Sequence, residues 1–218
     1  MNSYLVFDLD GTLTNPKEGI TKCVQYALHA FNIEEPDLNR LTPFIGPPLR
    51  QSFIDFYQFS EAQAISAVEK YRERFSTTGL FENIVYPGIP TMLQTLQEQG
   101  KVLAVASSKP TVFVRQILEH FNLAQYFQII EGSNLDGSRV EKREVIAAVL
   151  QQLGNPPRQQ IVMIGDRIYD VRGAAELGIA CVGVRFGFAA PGELENSGAV
   201  YLADTVADLQ QYLLSLPC

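Results

Sequence analysis

The sequence predicts an α/β fold with a central, mostly parallel sheet and a small helical insertion after the first strand, and three observations predict it. Short apolar runs at residues 4–7, 101–106, 160–164 and 180–184 alternate with helical stripes, the pattern of strands covered on both faces and joined by crossover helices. Residues 15–81 hold helical stripes and no convincing strand, a shift within an otherwise alternating chain. Polar residues follow three of the apolar runs directly: Asp8 and Asp10, then Ser107, Ser108 and Lys109, then Asp166 and Asp170. In open parallel sheets, ligands bind just beyond the carboxyl ends of the strands, where these side chains fall.

The elements follow in order. Residues 4–7 are too few for a helix and too apolar for a half-solvated strand, so they read as a central strand. Residues 17–32 place Ile20, Val24, Ala27, Leu28 and Phe31 on one helical stripe. Pro36, Pro43, Gly46, Pro47 and Pro48 then punctuate the chain, and helical patterns cover 49–56 and 62–75 before Thr77, Thr78 and Gly79. Tyr86, Pro87 and Gly88 form a turn into a helix at 89–99, which Gly100 stops. After the strand at 101–106 come a helix at 111–120, a short strand at 127–130, and a helix opened by Lys142 and running to Leu153. The strand at 160–164 is followed by two acidic residues four apart, a spacing that brings both to one side of a helical turn. The strand at 180–184, a loop at 185–188, an edge strand at 199–202 and a closing helix at 206–214 complete the chain. Gly187 and Gly192 mark a loop whose expected role is mere connection.

Composition narrows the function. The 218 residues carry a net charge of −7 with no basic stripe, which argues against a nucleic-acid polymer or an anionic membrane as partner. No run approaches membrane-spanning length, and the start lacks the charged region of a secretory signal, so the expected location is the cytoplasm. Cys23, Cys181 and Cys218 are far apart and without metal-ligand spacing, so they read as ordinary thiols. His29 and His120 fall in helical patterns, and nothing supports triad chemistry.

Two carboxylates held close together repel unless a cation lies between them. A hard divalent ion such as Mg²⁺ is usually held by one or two carboxylates plus substrate phosphate, so Asp8 and Asp10 point to a phosphoryl-transfer site. The alternative is that they are turn residues capping the next helix. A hydroxyl at a strand end, as at Ser107, can donate to a phosphoryl oxygen or simply cap the following helix. Lys142 at a helix start opposes the macrodipole, a mild reason to seek another role for it.

The segment Asp8-Leu9-Asp10-Gly11-Thr12-Leu13 resembles the first motif of the haloacid dehalogenase-like hydrolases. Ser107, Lys142 and the stretch Gly165-Asp166-Arg167-Ile168-Tyr169-Asp170 resemble the second, third and fourth motifs, in the same order. The resemblance implies a Rossmann-like three-layer core at residues 1–14 and 82–218, and a helical cap domain at 15–81. It also implies roles: Asp8 the nucleophile, Asp10 the acid/base, Ser107 and Lys142 catalytic, with Ser107, Ser108 and Lys142 binding phosphate. Arg139 and Lys109 are the alternatives to Lys142. The implied cofactor is Mg²⁺, with Asp8, Asp10 and Asp166 as ligands and Asp170 either a ligand through water or a partner to Lys142. Residues 44–49 resemble a specificity loop of the phosphoglycolate phosphatase-like branch, which would place Ile45, Gly46, Pro47 and Arg50 near substrate; the equal alternative is a plain helix connection.

The implied activity is hydrolysis of a small phosphorylated metabolite through a phospho-aspartyl intermediate, by a monomer or homodimer. Phosphoglycolate is the first substrate reading and a nucleoside 5′-monophosphate the alternative, because Asn15 and Arg167 depart from the common pattern. Pyrophosphatase, phosphomutase and non-catalytic regulator readings rank below these. Dehalogenation ranks low because carbon–halogen displacement does not need a metal.

Overall fold

In a computed structural model, residues 4–217 are described; the chain's start and the Cys218 thiol lie outside the described residues. The chain divides into two compact units, residues 1–15 with 85–218 and residues 16–84. The first contains a six-stranded sheet in the order β5 (Ile129–Ser133), β4 (Val102–Pro110), β1 (Tyr4–Phe7), β6 (Ile161–Gly165), β7 (Ala180–Val184) and β8 (Tyr201–Ala203); β2 (Thr14–Asn15) and β3 (Ile84–Val85) are two-residue strands outside it.

β1 (Tyr4–Phe7) runs parallel between β4 (Val102–Pro110) and β6 (Ile161–Gly165). Leu5, Val6 and Phe7 are all fully buried, as a strand with neighbours on both edges and cover on both faces requires. Outward from β4 lies β5 (Ile129–Ser133), and outward from β6 lie β7 (Ala180–Val184) and the edge strand β8 (Tyr201–Ala203), each parallel to its neighbour. The expected class, a parallel α/β sheet between helical layers, is the one observed. Several boundaries moved: β4 runs on past Ala106 through Pro110, β5 spans Ile129–Ser133 in place of 127–130, and β8 starts at Tyr201 in place of 199. β4 extends because β5 continues to pair with it through Ser133, beyond the end of its apolar run.

Side chains alternate across the sheet. On one face, Val6, Ala104, Ala106 and Met163 pack against Val145, Ile146 and Val149 of α6 (Lys142–Gln152) and Val171 and Ala174 of α7 (Ile168–Ala175). Small residues on β4 let α6 approach closely. The opposite face is covered by α4 (Ile89–Glu98), which packs on α8 (Val206–Ser215), while α5 (Thr111–His120) lies along β4 and β5. Gly100 follows α4 at φ +74°, the left-handed conformation that ends a helix without a Cβ penalty.

The second unit is helical. It comprises α1 (Lys17–His29), a 3₁₀ segment (Leu38–Phe44), α2 (Leu49–Tyr57), α3 (Glu61–Arg74) and a π-helical turn (Phe75–Gly79). Ser60 and Gln63 form a reciprocal capping box at the start of α3. Phe53 stacks on Phe59 and meets Phe44 edge-on, giving this unit an aromatic core. Gly19 and Gly79 let α1 touch the π turn: a Cβ on Gly19 would stand 2.0 Å from the Gly79 carbonyl oxygen. Arg74 donates to both carboxylate oxygens of Glu82 at 2.6 and 2.9 Å and to the buried Cys23 sulfur at 3.3 Å. Among the described residues no helix is long and apolar enough to cross a membrane.

Candidate active site

Register explains why distant residues meet. Phe7 pairs with Val105 on one side and Ile164 on the other, so Asp8 leaves the sheet level with Ala106 and Gly165. The Asp8 N–H donates to the Ile164 carbonyl at 2.8 Å, carrying the strand pattern one residue past β1. The chain then turns sharply at Gly11, where φ is +83° and a Cβ would stand 2.0 Å from an Asp166 carboxylate oxygen. Only glycine meets both conditions.

Asp8, Asp166 and Asp170 are buried, and one carboxylate oxygen from each lies within 4.8 Å of the other two. Lys142 enters from the start of α6. Its Nζ is 2.7 Å from Asp8 Oδ1 and 2.8 Å from Asp170 Oδ1, and it donates to the Ala106 carbonyl at 3.1 Å. Asp8 Oδ1 and Asp170 Oδ1 thus share the Lys142 ammonium. Asp166 Oδ1 has no hydrogen-bond partner, while its Oδ2 accepts from the Phe188 N–H at 2.7 Å. Three buried carboxylates that share one lysine, with an orphaned oxygen on Asp166, suit a hard cation with oxygen ligands.

Asp10 is turned to a different partner. Lys109 Nζ lies 2.9 Å from its Oδ1 and 2.6 Å from its Oδ2, with both side chains nearly buried. The three-carboxylate cluster thus holds Asp170 where Asp10 was the expected third ligand, because the Asp10 carboxylate is turned to Lys109; Asp170 is also the expected partner of Lys142. Ser107 is buried at the end of β4, and its Oγ accepts from the Lys109 N–H at 3.3 Å. Ser108 is half-buried one residue on. Arg139 is elsewhere, bonded to Glu131 and to the Gly132 carbonyl.

Burial dominates the titration of these groups. It pushes the Asp10 carboxyl up against the pull of Lys109, with Asp8 adding to the rise. It pushes Asp166 well above its ordinary value, and the charges of Asp170 and Asp8 act in the same direction. Asp170 is pushed up to about 6 by burial, opposed by Lys142 and reinforced by Asp8. Burial works against the Lys142 ammonium, yet Asp170 and Asp8 together hold its pKa above the ordinary lysine value. The Cys181 thiol is buried and pushed up by that burial, so it is no ready nucleophile.

The residues of the 44–49 loop lie in the helical unit. Ile45 is fully buried, Gly46 adopts φ +108°, Pro47 is half-buried, and the exposed Arg50 donates to Glu61 at 2.7 Å. Two contributors to the carboxylate cluster were not given their observed part in the sequence reading. Lys109, named there only as an alternative to Lys142, holds Asp10; its place two residues after Ser107 at a strand end was the available signal. The loop after β7, expected merely to connect, supplies the Phe188 N–H to Asp166, and Gly187 lies so close that a Cβ there would be 2.3 Å from the Asp166 Cβ.

A parallel sheet whose strand ends gather buried aspartates around a lysine defines a hydrolytic enzyme of the phosphoryl-handling kind. The chain belongs to the haloacid dehalogenase-like hydrolases, whose family model matches residues 5–184, and it is a phosphoric monoester hydrolase. It is similar to a 5′-nucleotidase from Pseudomonas aeruginosa, 49% identical over 211 residues that span 97% of this chain and 95% of that protein. It is also similar to the tyrosine-protein kinase PtkA of Mycobacterium tuberculosis, 35% identical over 96% of this chain and 72% of the kinase. The crystal structure of a predicted phosphatase from Clostridium acetobutylicum superposes with a TM-score of 0.96 at 47% identity, covering 99% of this chain and 100% of that one.

Proposed function

We propose that the protein hydrolyses small phosphomonoesters, with Asp8 as nucleophile and Mg²⁺ as cofactor, and that its substrate is a nucleoside 5′-monophosphate. The observation that carries the chemistry is the cluster of buried carboxylates from Asp8, Asp166 and Asp170, with Asp166 Oδ1 lacking a partner, beside the Lys142 ammonium. Asp8, Asp166 and Asp170 would hold Mg²⁺, which when bound supplies positive charge to the phosphoryl oxygens and offsets repulsion among the carboxylates. The Asp8 carboxylate oxygen attacks phosphorus in line, and the bond from phosphorus to the ester oxygen breaks. Asp10, whose carboxyl pKa is pushed up by burial, gives a proton to the departing alkoxide. It then takes a proton from the water that attacks the phospho-aspartate, releasing phosphate and restoring Asp8. Lys142 neutralises charge on Asp8 and the transferring group, Lys109 fixes the Asp10 carboxyl, and Ser107 donates to a phosphoryl oxygen.

The nucleotide reading is supported by the 49% identity to the Pseudomonas aeruginosa 5′-nucleotidase across nearly the whole of both chains. We assign the helical unit the part of a cap that selects the leaving group, with Arg50 among its contacts. A screen of nucleoside 5′-monophosphates, phosphoglycolate, sugar phosphates and pyrophosphate should give the highest kcat/KM for a nucleotide. Higher kcat/KM for phosphoglycolate would reject the nucleotide reading and restore the substrate that the loop resemblance favoured. Arg50→Ala should lower kcat/KM for the best substrate about 10-fold through KM, the loss of one charged contact; an unchanged value removes Arg50 from the site.

Metal binding should depend on pH with a definite sign. Between its ordinary value of 3.8 and about 6, Asp170 is protonated in the metal-free folded protein and ionised in the unfolded chain. The folded state then binds more protons, so its stability falls as pH rises through that window and stays lower above it. Lys142, whose folded pKa is also raised, has the same sign but only at alkaline pH, since its contribution is complete below its ordinary value and is lost above it. A cation competes with the protons on the carboxylates. Mg²⁺ should therefore raise Tm by several degrees at about pH 7.5 and hardly at all near pH 5. Equal shifts at the two pH values would contradict the assigned ligands.

A further inference from the structure

We infer that Glu193 is a positioning residue for the metal-binding carboxylates, acting as a latch that holds the loop after β7 against the start of α7. The inference rests on the assignment of Mg²⁺ to Asp166 and Asp170. Glu193 Oε1 accepts from Arg167 Nε at 2.9 Å and from the Ile168 N–H, in the first turn of α7, at 2.8 Å. Its Oε2 accepts from the Ala190 N–H at 2.9 Å. One carboxylate thus joins two segments of the chain, and only 11% of its side chain is exposed.

Both segments grip the acidic cluster. On the loop side, the Phe188 N–H donates to Asp166 Oδ2 and Gly187 lies against the Asp166 Cβ. On the helix side, the Arg167 N–H donates to Asp170 Oδ2 at 3.0 Å, and the Asp170 N–H returns to the Arg167 carbonyl at 3.0 Å. Arg167 also lies over the Tyr169 ring at 5.6 Å, which steadies the guanidinium that Glu193 engages. The contacts close a ring from Asp166 along the chain to Ile168, across Glu193 to Ala190, and back through Phe188 to Asp166. With Oδ2 held in that ring, Asp166 keeps Oδ1 without a hydrogen-bond partner, and the residue stays within the three-carboxylate cluster. Releasing the latch frees Asp166 to rotate, which weakens cation binding more than it weakens the fold.

The test measures Mg²⁺ binding by isothermal titration calorimetry and, separately, the Mg²⁺ dependence of turnover. Glu193→Gln, which keeps one acceptor but loses the charge opposite Arg167, should weaken Mg²⁺ about 10-fold, and Glu193→Ala nearer 100-fold. At saturating Mg²⁺, kcat and the substrate KM should return to within about twofold of the unmodified enzyme, an outcome a merely structural role would not produce. Arg167→Met spares both backbone bonds to Glu193 and should give a smaller, few-fold weakening, also readable if Glu193→Ala fails to fold. Glu195→Ala, on the same loop but paired with Arg185 at 3.0 Å, should leave Mg²⁺ binding unchanged. Folded Glu193 variants that bind Mg²⁺ as the unmodified protein does would overturn the latch alone, as would an equal loss in Glu195→Ala. No saturable Mg²⁺ binding by the unmodified protein would overturn the metal assignment, and the latch with it.

Discussion

Asp8→Asn is expected to reduce turnover by at least about 10⁴-fold, the scale of removing a covalent nucleophile, while the protein stays folded. The carboxamide occupies the same volume at the end of β1, and its backbone N–H still bonds to Ile164. Lys142 retains Asp170 at 2.8 Å, so the ammonium is not left unpaired. One negative charge also leaves a buried cluster in which Asp8 raises the pKa of both Asp166 and Asp170. Metal-free Asp8→Asn should therefore melt no lower than the unmodified enzyme near neutral pH, and Mg²⁺ should stabilise it less. The measurement is single-turnover phosphate release alongside a thermal melt. A folded variant with more than about 1% of normal turnover would mean that another group attacks phosphorus.

Lys142→Met is expected to damage both stability and catalysis. The side chain is only 5% exposed and stands between Asp8 and Asp170. Removing one partner from a buried ion pair leaves an uncompensated charge and costs about 3–5 kcal/mol. For a protein of this size that is a fall in Tm of roughly 10 °C. The deficit should shrink as pH is lowered toward 5, where the Asp170 carboxyl takes up a proton and no longer needs the ammonium. Turnover should fall by about 10²- to 10³-fold as charge stabilisation at the phosphoryl group is lost. A melt and a kcat both unchanged at neutral pH would rule out the assigned role.

Much of the architecture was legible because it rests on local properties. A four-residue apolar run is too short for a helix, and it forms the strand β1 from which Asp8 and Asp10 leave the sheet. The helical stripes at 17–32, 49–56 and 62–75 correspond to α1, α2 and α3, each within a few residues. What escaped was the continuation of β4 through Ser107 to Pro110, because pairing with β5 outlasts the apolar pattern that was read. The loop around Gly187 escaped for a related reason. A glycine between two phenylalanines looks like a connection until Asp166 is found against it.

Covalent order and hydrophobic period alone determined the parallel α/β class, the helical stretch within it, and the candidate side chains at the strand ends. Only the tertiary structure decided how those side chains share their charges: Lys142 with Asp8 and Asp170, Lys109 with Asp10 across 99 residues, and Phe188 with Asp166. The physical reason is that strand register sets which strand ends lie side by side, and burial makes every ionised group there depend on its neighbours. Neither quantity is a property of any short stretch of chain.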